Sequence, residues 1–376
     1  MPSTKLRQNV LGQAKKVVVK LGSQLLAMSG DAAGLDAAYL SHIAAQVATL
    51  RQGGREVTLV SSGAIAAGCL ELGLKKRPRD VAALQAVAAV GQRLLMTQLH
   101  TAFTKHDLHV GQLLLTRNDF DDRLRYLNIR NCVAQLHQQN CIPVVNENDT
   151  VAVEEIRFGD NDQLAALMCN ALRADALVLL TVVDGLLDAD GHCMELVENI
   201  ASVKSLVSSE TSATGTGGMS SKLDAAGRVM EAGELAVIAN GRTDNVLLRL
   251  FNGEKLGTIF VPAKRKLDSR QRWISLTKRP GGKIIIDDGA AAALQHRGKS
   301  LLAIGVVDVQ GNFERGDVIV VQDKAGNELA RGITNYAGDE VRLIAGKRSN
   351  QFEKLLGRSA YDEVIHRDHL VVTPAE

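Results

Sequence analysis

Residues 141–150 read Cys-Ile-Pro-Val-Val-Asn-Glu-Asn-Asp-Thr, and residues 159–162 read Gly-Asp-Asn-Asp. The apolar start of the first stretch predicts a buried strand, and the Ala- and Leu-rich segment 163–172 predicts a helix. Two polar clusters therefore lie between a strand's carboxyl end and a helix's amino end, where open α/β sheets bind ligands. Either cluster alone favours a simpler interpretation, since Asn and Asp also form local turns and helix caps.

The same alternation of apolar strands, small polar loops and helices runs through the first two thirds of the chain. Strand patterns are found at 16–21, 57–60, 109–115, 141–145, 176–180, 235–238 and 246–250, and helical patterns at 37–52 and 81–105. Alternating strands and helices predict a mainly parallel sheet covered on both faces, joined by right-handed crossovers. The predicted fold class is therefore an α/β protein, with an αβα sandwich over residues 17–263 after an N-terminal extension, residues 1–16.

The composition changes after residue 260. Residues 264–279 carry seven Lys and Arg against one acidic residue, and we interpret 264–282 as a basic linker. Beyond it, short strand patterns at 283–286, 301–309, 317–322, 328–334 and 341–344 surround one helix at 289–295. Residues 283–376 are therefore predicted to form a second, small and mostly β domain.

The overall composition favours a cytoplasmic protein. The 376 residues carry a formal charge of +2, which gives no support to a nucleic-acid or membrane partner. The five cysteines are odd in number and form no C-x-x-C pair, as expected of free thiols in a reducing compartment. Neither a signal peptide nor a membrane-spanning segment is evident.

Two lysines are candidates for phosphate chemistry, although the sequence has neither a P-loop nor a G-x-G-x-x-G motif after the first strand. Lys20 ends the first strand, where a lysine is usually a solvent-facing terminus. Lys222 follows Gly217 and Gly218 and falls in the first turn of a predicted helix, where free N–H groups favour an anion. The alternative for this segment is a flexible Gly/Ser loop capped by Ser220 or Ser221.

Phosphoryl transfer requires cations on the moving group, a metal-bridged nucleotide and an aligned acceptor. A carboxylate acceptor is already ionised at neutral pH and needs no general base. Lys20 and Lys222, with Asp160 and Asp162 to hold them, fit this description.

Five motifs in order along the chain resemble the branch of the amino acid kinase family that phosphorylates glutamate. They are Val-Val-Lys20-Leu-Gly, Ser62-Gly-Ala-Ile-Ala-Ala-Gly, Val-Asn146-Glu-Asn-Asp149, Gly-Asp160-Asn-Asp162 and Gly-Thr216-Gly-Gly-Met-Ser-Ser-Lys222. The resemblance implies transfer of the γ-phosphoryl group of ATP, with Mg²⁺, to the side-chain carboxylate of L-glutamate. The product, L-glutamyl 5-phosphate, is the first intermediate on the way to proline.

The resemblance also implies roles for individual residues. The catalytic set would be Lys20, Lys222, Asp160 and Asp162. Glutamate would be bound by Ser62, Asn146, Asp149 and Asn161. ATP would be bound by Lys20, Thr181, Val182, Thr216, Gly217, Gly218, Met219, Ser220, Ser221 and Lys222. No protein ligand is assigned to Mg²⁺, which the nucleotide would mainly carry. Many relatives have Asp where this chain has Val182, so a contact there must come from the backbone.

The second domain resembles a PUA domain, a fold associated elsewhere with RNA. Residues 281–376 hold twelve Lys and Arg against fourteen Asp and Glu, so we predict no RNA partner for it. The family resemblance further implies a homo-oligomer, a dimer or tetramer, and inhibition by proline.

The sequence is also compatible with two alternative functions. One is another amino acid kinase that acts on aspartate, acetylglutamate or a nucleoside monophosphate. The other is an RNA-binding regulatory protein on a kinase-like fold, which would be expected to have lost Lys20 and Lys222.

Overall fold

The computed structural model describes residues 2–27, 34–152, 161–204, 218–262, 269–274, 278–358 and 361–373. The chain forms two compact units, Met1–Lys266 and Leu267–Glu376. In the described part of the chain, no helix has the length and apolar character needed to cross a membrane.

The first unit alternates strands and helices. Its strands are β1 (Lys16–Leu21), β2 (Glu56–Ser61), β3 (His109–Leu115), β4 (Cys141–Glu147), β5 (Ala176–Thr181), β6 (Leu196–Val197), β7 (Leu235–Asn240) and β8 (Thr258–Phe260). Its helices are α1 (Pro2–Leu11), α2 (Ser23–Leu26), α3 (Ala37–Gln52), α4 (Ala64–Glu71), α5 (Val81–Thr104), α6 (Arg117–Asp121), α7 (Arg123–Gln138), α8 (Asn161–Leu172), α9 (Ala201–Lys204), α10 (Met219–Glu231) and α11 (Val246–Phe251).

The strands form one sheet in the order β3-β4-β2-β1-β5-β7-β8-β6. Neighbours from β3 to β7 pair in parallel, whereas β8 pairs antiparallel with β7. Side chains alternate across β1, so Val17, Val19 and Leu21 join a hydrophobic cluster with residues of α3 and α5. Lys20 points to the opposite face, which α8 covers. The predicted mainly parallel α/β sheet is confirmed.

Two glycines allow α4 and α5 to touch through their backbones. A Cβ atom on Gly91 would lie 1.8 Å from the carbonyl oxygen of Ala64, and one on Gly68 would lie 1.9 Å from that of Val87. Only glycine permits so close an approach. As a result, α5 lies close to the start of α4, which directly follows β2.

The second unit is built on a five-stranded sheet accompanied by short helices. Its strands are β9 (Gly282–Ile286), β10 (Val306–Gly311), β11 (Val318–Gln322), β12 (Glu328–Ile333) and β13 (Leu370–Val372), in the sheet order β10-β9-β11-β12-β13. Its helices are α12 (Ser269–Arg272), α13 (Asp288–Arg297), α14 (Gly338–Ile344) and α15 (Phe352–Leu356). The segment predicted to be a linker thus contains α12, followed by the buried side chains of Trp273 and Ile274.

Two predicted strands are helices. Residues 246–250 belong to α11, where Val246, Leu247 and Leu250 are buried at helical spacing. Residues 341–344 belong to α14, whose first turn is closed by a hydrogen bond from the backbone N–H of Ala337 to Glu340. A short apolar run is compatible with both the helical and the strand period. In these two segments the buried residues are spaced as on one face of a helix and do not alternate as in a strand.

The N-terminal extension contains α1, which is fixed by a buried arginine. The Arg7 side chain is fully buried and donates to the backbone carbonyl oxygens of Leu256 at 2.6 Å, Glu195 at 2.7 Å and Gly257 at 2.8 Å. Hydrogen bonds from a charged donor are stronger than neutral ones. Arg7 therefore anchors α1 to the loops that flank β6 and β8.

His137, at the end of α7, is held as a neutral ring. Arg51 lies 3.1 Å from Nδ1 of His137, and the Thr58 hydroxyl lies 3.1 Å from Nε2. Because a guanidinium group only donates, Nδ1 must accept, and Nε2–H donates to Thr58. Burial lowers the pKa of His137 from 6.5 to about 4.

This histidine is predicted to make stability depend on pH. The unfolded chain binds its proton near pH 6.5 and the folded chain only near pH 4, so this group lowers the free energy of unfolding as the pH falls through that interval. In chemical denaturation between pH 4 and 8, His137→Gln should give a shallower pH dependence than the wild type. His100→Gln, at an exposed position, is the control. An unchanged pH dependence in His137→Gln would show that the histidine is not held neutral.

Candidate active site

The carboxyl ends of β1, β2, β4 and β5 meet at one edge of the sheet and border a cavity of about 420 Å³. Nine of the residues predicted to act in catalysis or binding line it: Lys20, Ser62, Asn146, Asp149, Asn161, Asp162, Thr181, Val182 and Lys222. These residues lie far apart in sequence. The parallel sheet brings them together because the carboxyl ends of its parallel strands lie at the same edge.

A buried carboxylate lies between two lysines at the floor of the cavity. The Lys20 Nζ atom is 2.6 Å from one oxygen of Asp162, and the Lys222 Nζ atom is 3.1 Å from the other. The side chain of Asp162 is 1% exposed and each lysine side chain 8% exposed. Lys20 comes from β1, Asp162 from the first turn of α8 and Lys222 from the first turn of α10, so this group joins three elements.

The electrostatics of this group favour an anion in the cavity. Burial alone would raise the pKa of Asp162, but Lys20 and Lys222 together outweigh it and hold the pKa below its ordinary value. Asp162 is therefore ionised at neutral pH. One negative charge between two positive ones leaves the group with a net positive charge, which a phosphoryl group would offset.

Amide side chains form the second part of the site. The Asn161 Nδ2 atom donates to the Ser62 hydroxyl at 2.9 Å and to Oδ1 of Asn146 at 3.2 Å. Asn146 is the penultimate residue of β4 and is 2% exposed. The strand end, the loop after β2 and the helix start are thus connected by side-chain hydrogen bonds.

Asp149 is a carboxylate with an altered pKa on the same side of the cavity. Burial raises the pKa of Asp149 to about 6, against an opposing effect of the positive charge on Arg77. Lys75, Lys76 and Arg77 also line the cavity, and the sequence analysis did not identify them. The signal was present, since three consecutive basic residues follow α4, but such a run is usually a solvated surface.

The predicted nucleotide residues are only partly placed around the cavity. Thr181 ends β5, and Val182 follows it with 42% of its surface exposed. Gly218 caps α10, and Met219, Ser220 and Ser221 form its first turn with Lys222. Within the described part of the chain, Lys222 is the residue of this turn that lines the cavity. Asp160, Thr216 and Gly217 lie outside the described residues.

The donor set fits a nucleotide better than a metal ion held by protein ligands alone. Both oxygens of Asp162 are engaged by lysines, so this carboxylate is not free to ligate a cation. A divalent ion here would find most of its oxygen ligands on phosphate groups, as Mg²⁺ does in many phosphotransferases.

The comparisons with known proteins agree with this geometry. Residues 15–240 match the amino acid kinase family, and residues 282–356 match the PUA domain. The fold and the site thus define an enzyme of the amino acid kinase class.

Proteins with similar sequences identify the branch of the amino acid kinase family. A protein named glutamate 5-kinase from Nitrosospira multiformis is 46% identical over 372 residues, covering 97% of this chain and 100% of that protein. Proteins of the same name from Geobacter sp. strain M21 (98% of this chain, 100% of the relative) and Bordetella parapertussis (97% and 98%) are each 45% identical. The chain belongs to the amino acid kinase family and, within it, to the glutamate 5-kinases.

Neutralising Asp162 should disable the site. Asp162→Asn leaves Lys20 and Lys222 without their shared carboxylate, so both should move and turnover should fall by about 100-fold or more. The measurement is kcat by ADP release, with circular dichroism to verify folding. Asp224→Asn, which removes an exposed ion-pair partner of Lys204 and lies on α10, the helix that carries Lys222, should retain activity. A folded Asp162→Asn variant with normal kcat would contradict this role.

Proposed function

We propose that this enzyme transfers the γ-phosphoryl group of ATP to the side-chain carboxylate of L-glutamate, giving L-glutamyl 5-phosphate and ADP. The observation that carries the proposal is the buried Lys20–Asp162–Lys222 group beside a cavity lined by amides and a carboxylate. The full-length similarity to glutamate 5-kinases supports the choice of acceptor.

In the proposed reaction a side-chain carboxylate oxygen of glutamate attacks the γ-phosphorus atom. An O–P bond to glutamate forms while the bond from the γ-phosphorus to the bridging oxygen breaks, and ADP leaves. The acceptor is already ionised, so no proton has to be removed. Lys20 and Lys222 offset negative charge on the moving group, and Asp162 keeps their ammonium groups in place.

The acceptor side of the cavity is assigned to Ser62, Asn146, Asp149 and Asn161. A carboxylate and amide oxygens are suitable partners for the α-ammonium group of an amino acid. The positive charge of Arg77 acts on Asp149 and opposes the rise in its pKa. The acceptor side of the cavity therefore carries a positive as well as a negative charge. A dicarboxylic amino acid would find partners for both signs of its charge.

The nucleotide side is assigned to Thr181, Val182 and the start of α10, with Asp160, Thr216 and Gly217 as further members by sequence. The free N–H groups of a helix start favour phosphate. ATP would enter with a divalent metal, which we propose to be Mg²⁺ carried on its phosphates. At Val182 the side chain offers no hydrogen bond, so any nucleotide contact there is made by the backbone.

Further properties remain predictions. The family resemblance implies a homo-oligomeric state and inhibition by proline, whereas the composition predicts a cytoplasmic location and a second domain that does not bind RNA. Size-exclusion chromatography with light scattering, and turnover with added proline, would test the first two.

The decisive experiment is ATP turnover with Mg²⁺, with the acyl phosphate trapped by hydroxylamine. Glutamate, aspartate, acetylglutamate and uridine monophosphate are offered separately. We expect hydroxamate with glutamate alone. Turnover with another acceptor would retain the phosphoryl-transfer role of the lysines and reject the acceptor assignment. Absence of turnover with all four would favour a regulatory protein instead.

Removing the Lys222 ammonium group should abolish turnover. Lys222→Ala is expected to reduce kcat at least about 100-fold, since a cation aimed at the transition state is lost, while the fold is retained. Lys204→Ala removes a lysine with a 58% exposed side chain and is the matched control. The phosphate role is wrong if Lys222→Ala is folded and turns over at the rate of Lys204→Ala.

The glutamate requirement should depend on the ionisation of Asp149. Its pKa of about 6 in the free enzyme means that the carboxylate is lost below that pH, so KM for glutamate should rise as the pH falls through 6. Asp149→Asn should raise KM for glutamate above pH 6, where the wild type has the carboxylate, and should remove this pH dependence, with KM for ATP little changed. Asp107→Asn, an exposed site, is the control. Equal increases in both KM values would refute the assignment of Asp149 to the amino acid.

A further inference from the structure

Gln92 lies at the middle of α5 and forms a hydrogen bond with Asn146, which lines the acceptor side of the cavity. Its side chain is 9% exposed. The neighbouring Gly91 packs directly on the backbone of α4, which brings this turn of α5 close to the strand ends. The oxygen of this buried amide has a hydrogen-bond partner, whereas its Nε2 atom is buried without one among the described residues.

The partner of Gln92 is Asn146. The Asn146 Nδ2 atom donates to Oε1 of Gln92 at 2.7 Å. Asn146 in turn accepts from Asn161, which also donates to Ser62. A continuous row of side-chain hydrogen bonds therefore runs from the inside of α5 to the residue that begins α8.

The direction of every bond in this row is determined by one backbone group. The N–H of Glu147 donates to Oδ1 of Asn146 at 2.9 Å, so this atom must be the amide oxygen. The amide nitrogen of Asn146 then faces Gln92, which must present its own oxygen. The amide nitrogen of Asn161 must likewise face Oδ1 of Asn146.

One consequence concerns the other end of the Asn161 amide. Its nitrogen is engaged by Ser62 and Asn146, and its oxygen, Oδ1, is buried without a hydrogen-bond partner among the described residues. An unsatisfied buried acceptor is unfavourable unless a water molecule or a ligand supplies a donor. Asn161 lines the cavity, and the α-ammonium group of an amino acid is such a donor.

We propose that Gln92 is a positioning residue for the amino-acid acceptor. By accepting a hydrogen bond from Asn146, it fixes the orientation of the Asn146 and Asn161 side chains. In this orientation the side-chain oxygen of Asn161 is available to accept a hydrogen bond from the ammonium group of the substrate. This inference rests on the proposed function, since it assumes an amino acid in the cavity. Gln92 acts through Asn146 and does not itself contact the substrate.

The test compares two substitutions of similar side-chain length, one that removes the hydrogen-bond acceptor and one that keeps it. Gln92→Met keeps the side-chain length and removes the acceptor, which leaves the Asn146 amide nitrogen unpaired and lets both amides turn. Gln92→Glu keeps an acceptor oxygen in the same place. Gln98→Met on the same helix, at a half-buried position, controls for the introduction of methionine. Each variant is assayed for KM and kcat with ATP, with glutamate, and with glutarate, which is glutamate without its ammonium group.

We expect Gln92→Met to raise KM for glutamate by about 10-fold to 100-fold, with kcat and KM for ATP close to the wild-type values. The preference for glutamate over glutarate in kcat/KM should fall by a similar factor, because glutarate does not use the Asn161 oxygen. Gln92→Glu should restore most of this preference. A purely structural role would lower turnover with both acceptors alike and would leave the preference unchanged.

Several outcomes would overturn the proposal. They are an unchanged glutamate-to-glutarate preference in Gln92→Met, equal increases in KM for glutamate and ATP, or a Gln92→Glu variant as impaired as Gln92→Met. If Gln92→Met does not fold, Gln92→Ala replaces it with the same expectations, since Ala favours the helix. Wild-type protein that forms no hydroxamate with glutamate would reject the proposed function itself, whereas an active wild type with a normal Gln92→Met variant rejects only this inference.

Discussion

The ion group Lys20–Asp162–Lys222 is the interaction on which the rest of the site depends. A carboxylate with 1% exposure could not remain ionised without close cations, because desolvation would raise its pKa. Here Lys20 and Lys222 both pair with Asp162, and their two positive charges exceed its single negative charge. The excess positive charge is tolerable because the lysines line an open cavity, where solvent or an anionic ligand can offset it. The same arrangement that keeps Asp162 charged therefore makes the cavity attractive to phosphate.

The sheet explains why these charges can meet. Lys20 reaches α8 because side chains alternate across β1, and its neighbours Val17 and Val19 are buried on the opposite face. A shift of one residue in this strand would turn the lysine into the hydrophobic cluster. The two central pairings of β1, with β2 and β5, fix its position from both sides. The hydrophobic packing of one face thus determines the electrostatics of the other.

Much of the fold and part of the site could be predicted from the sequence because their signals are local. Strands such as β1 and β4 are apolar runs, and the residues that follow them are polar, so Lys20, Ser62 and Asp149 could be placed at one edge. Gln92 could not be found in this way, because its partner Asn146 is 54 positions away and a glutamine inside a helix carries no local signal. The sequence predicts a strand at 246–250 for a related reason: a short, largely apolar run fits both periods, and only packing against the core selects the helix.

Asn161 and Asp162 are consecutive residues, and they serve the two parts of the site. Asp162 faces the lysines and Asn161 faces Ser62 and Asn146, because successive helical residues point about 100° apart around the axis. The first turn of α8 therefore fixes the spacing between the cationic group and the amide row. In the proposed reaction this spacing separates the phosphoryl group from the ammonium end of the acceptor. A kinase for a shorter or longer amino acid would need a different spacing, so the start of this one helix connects the site of transfer to the choice of substrate.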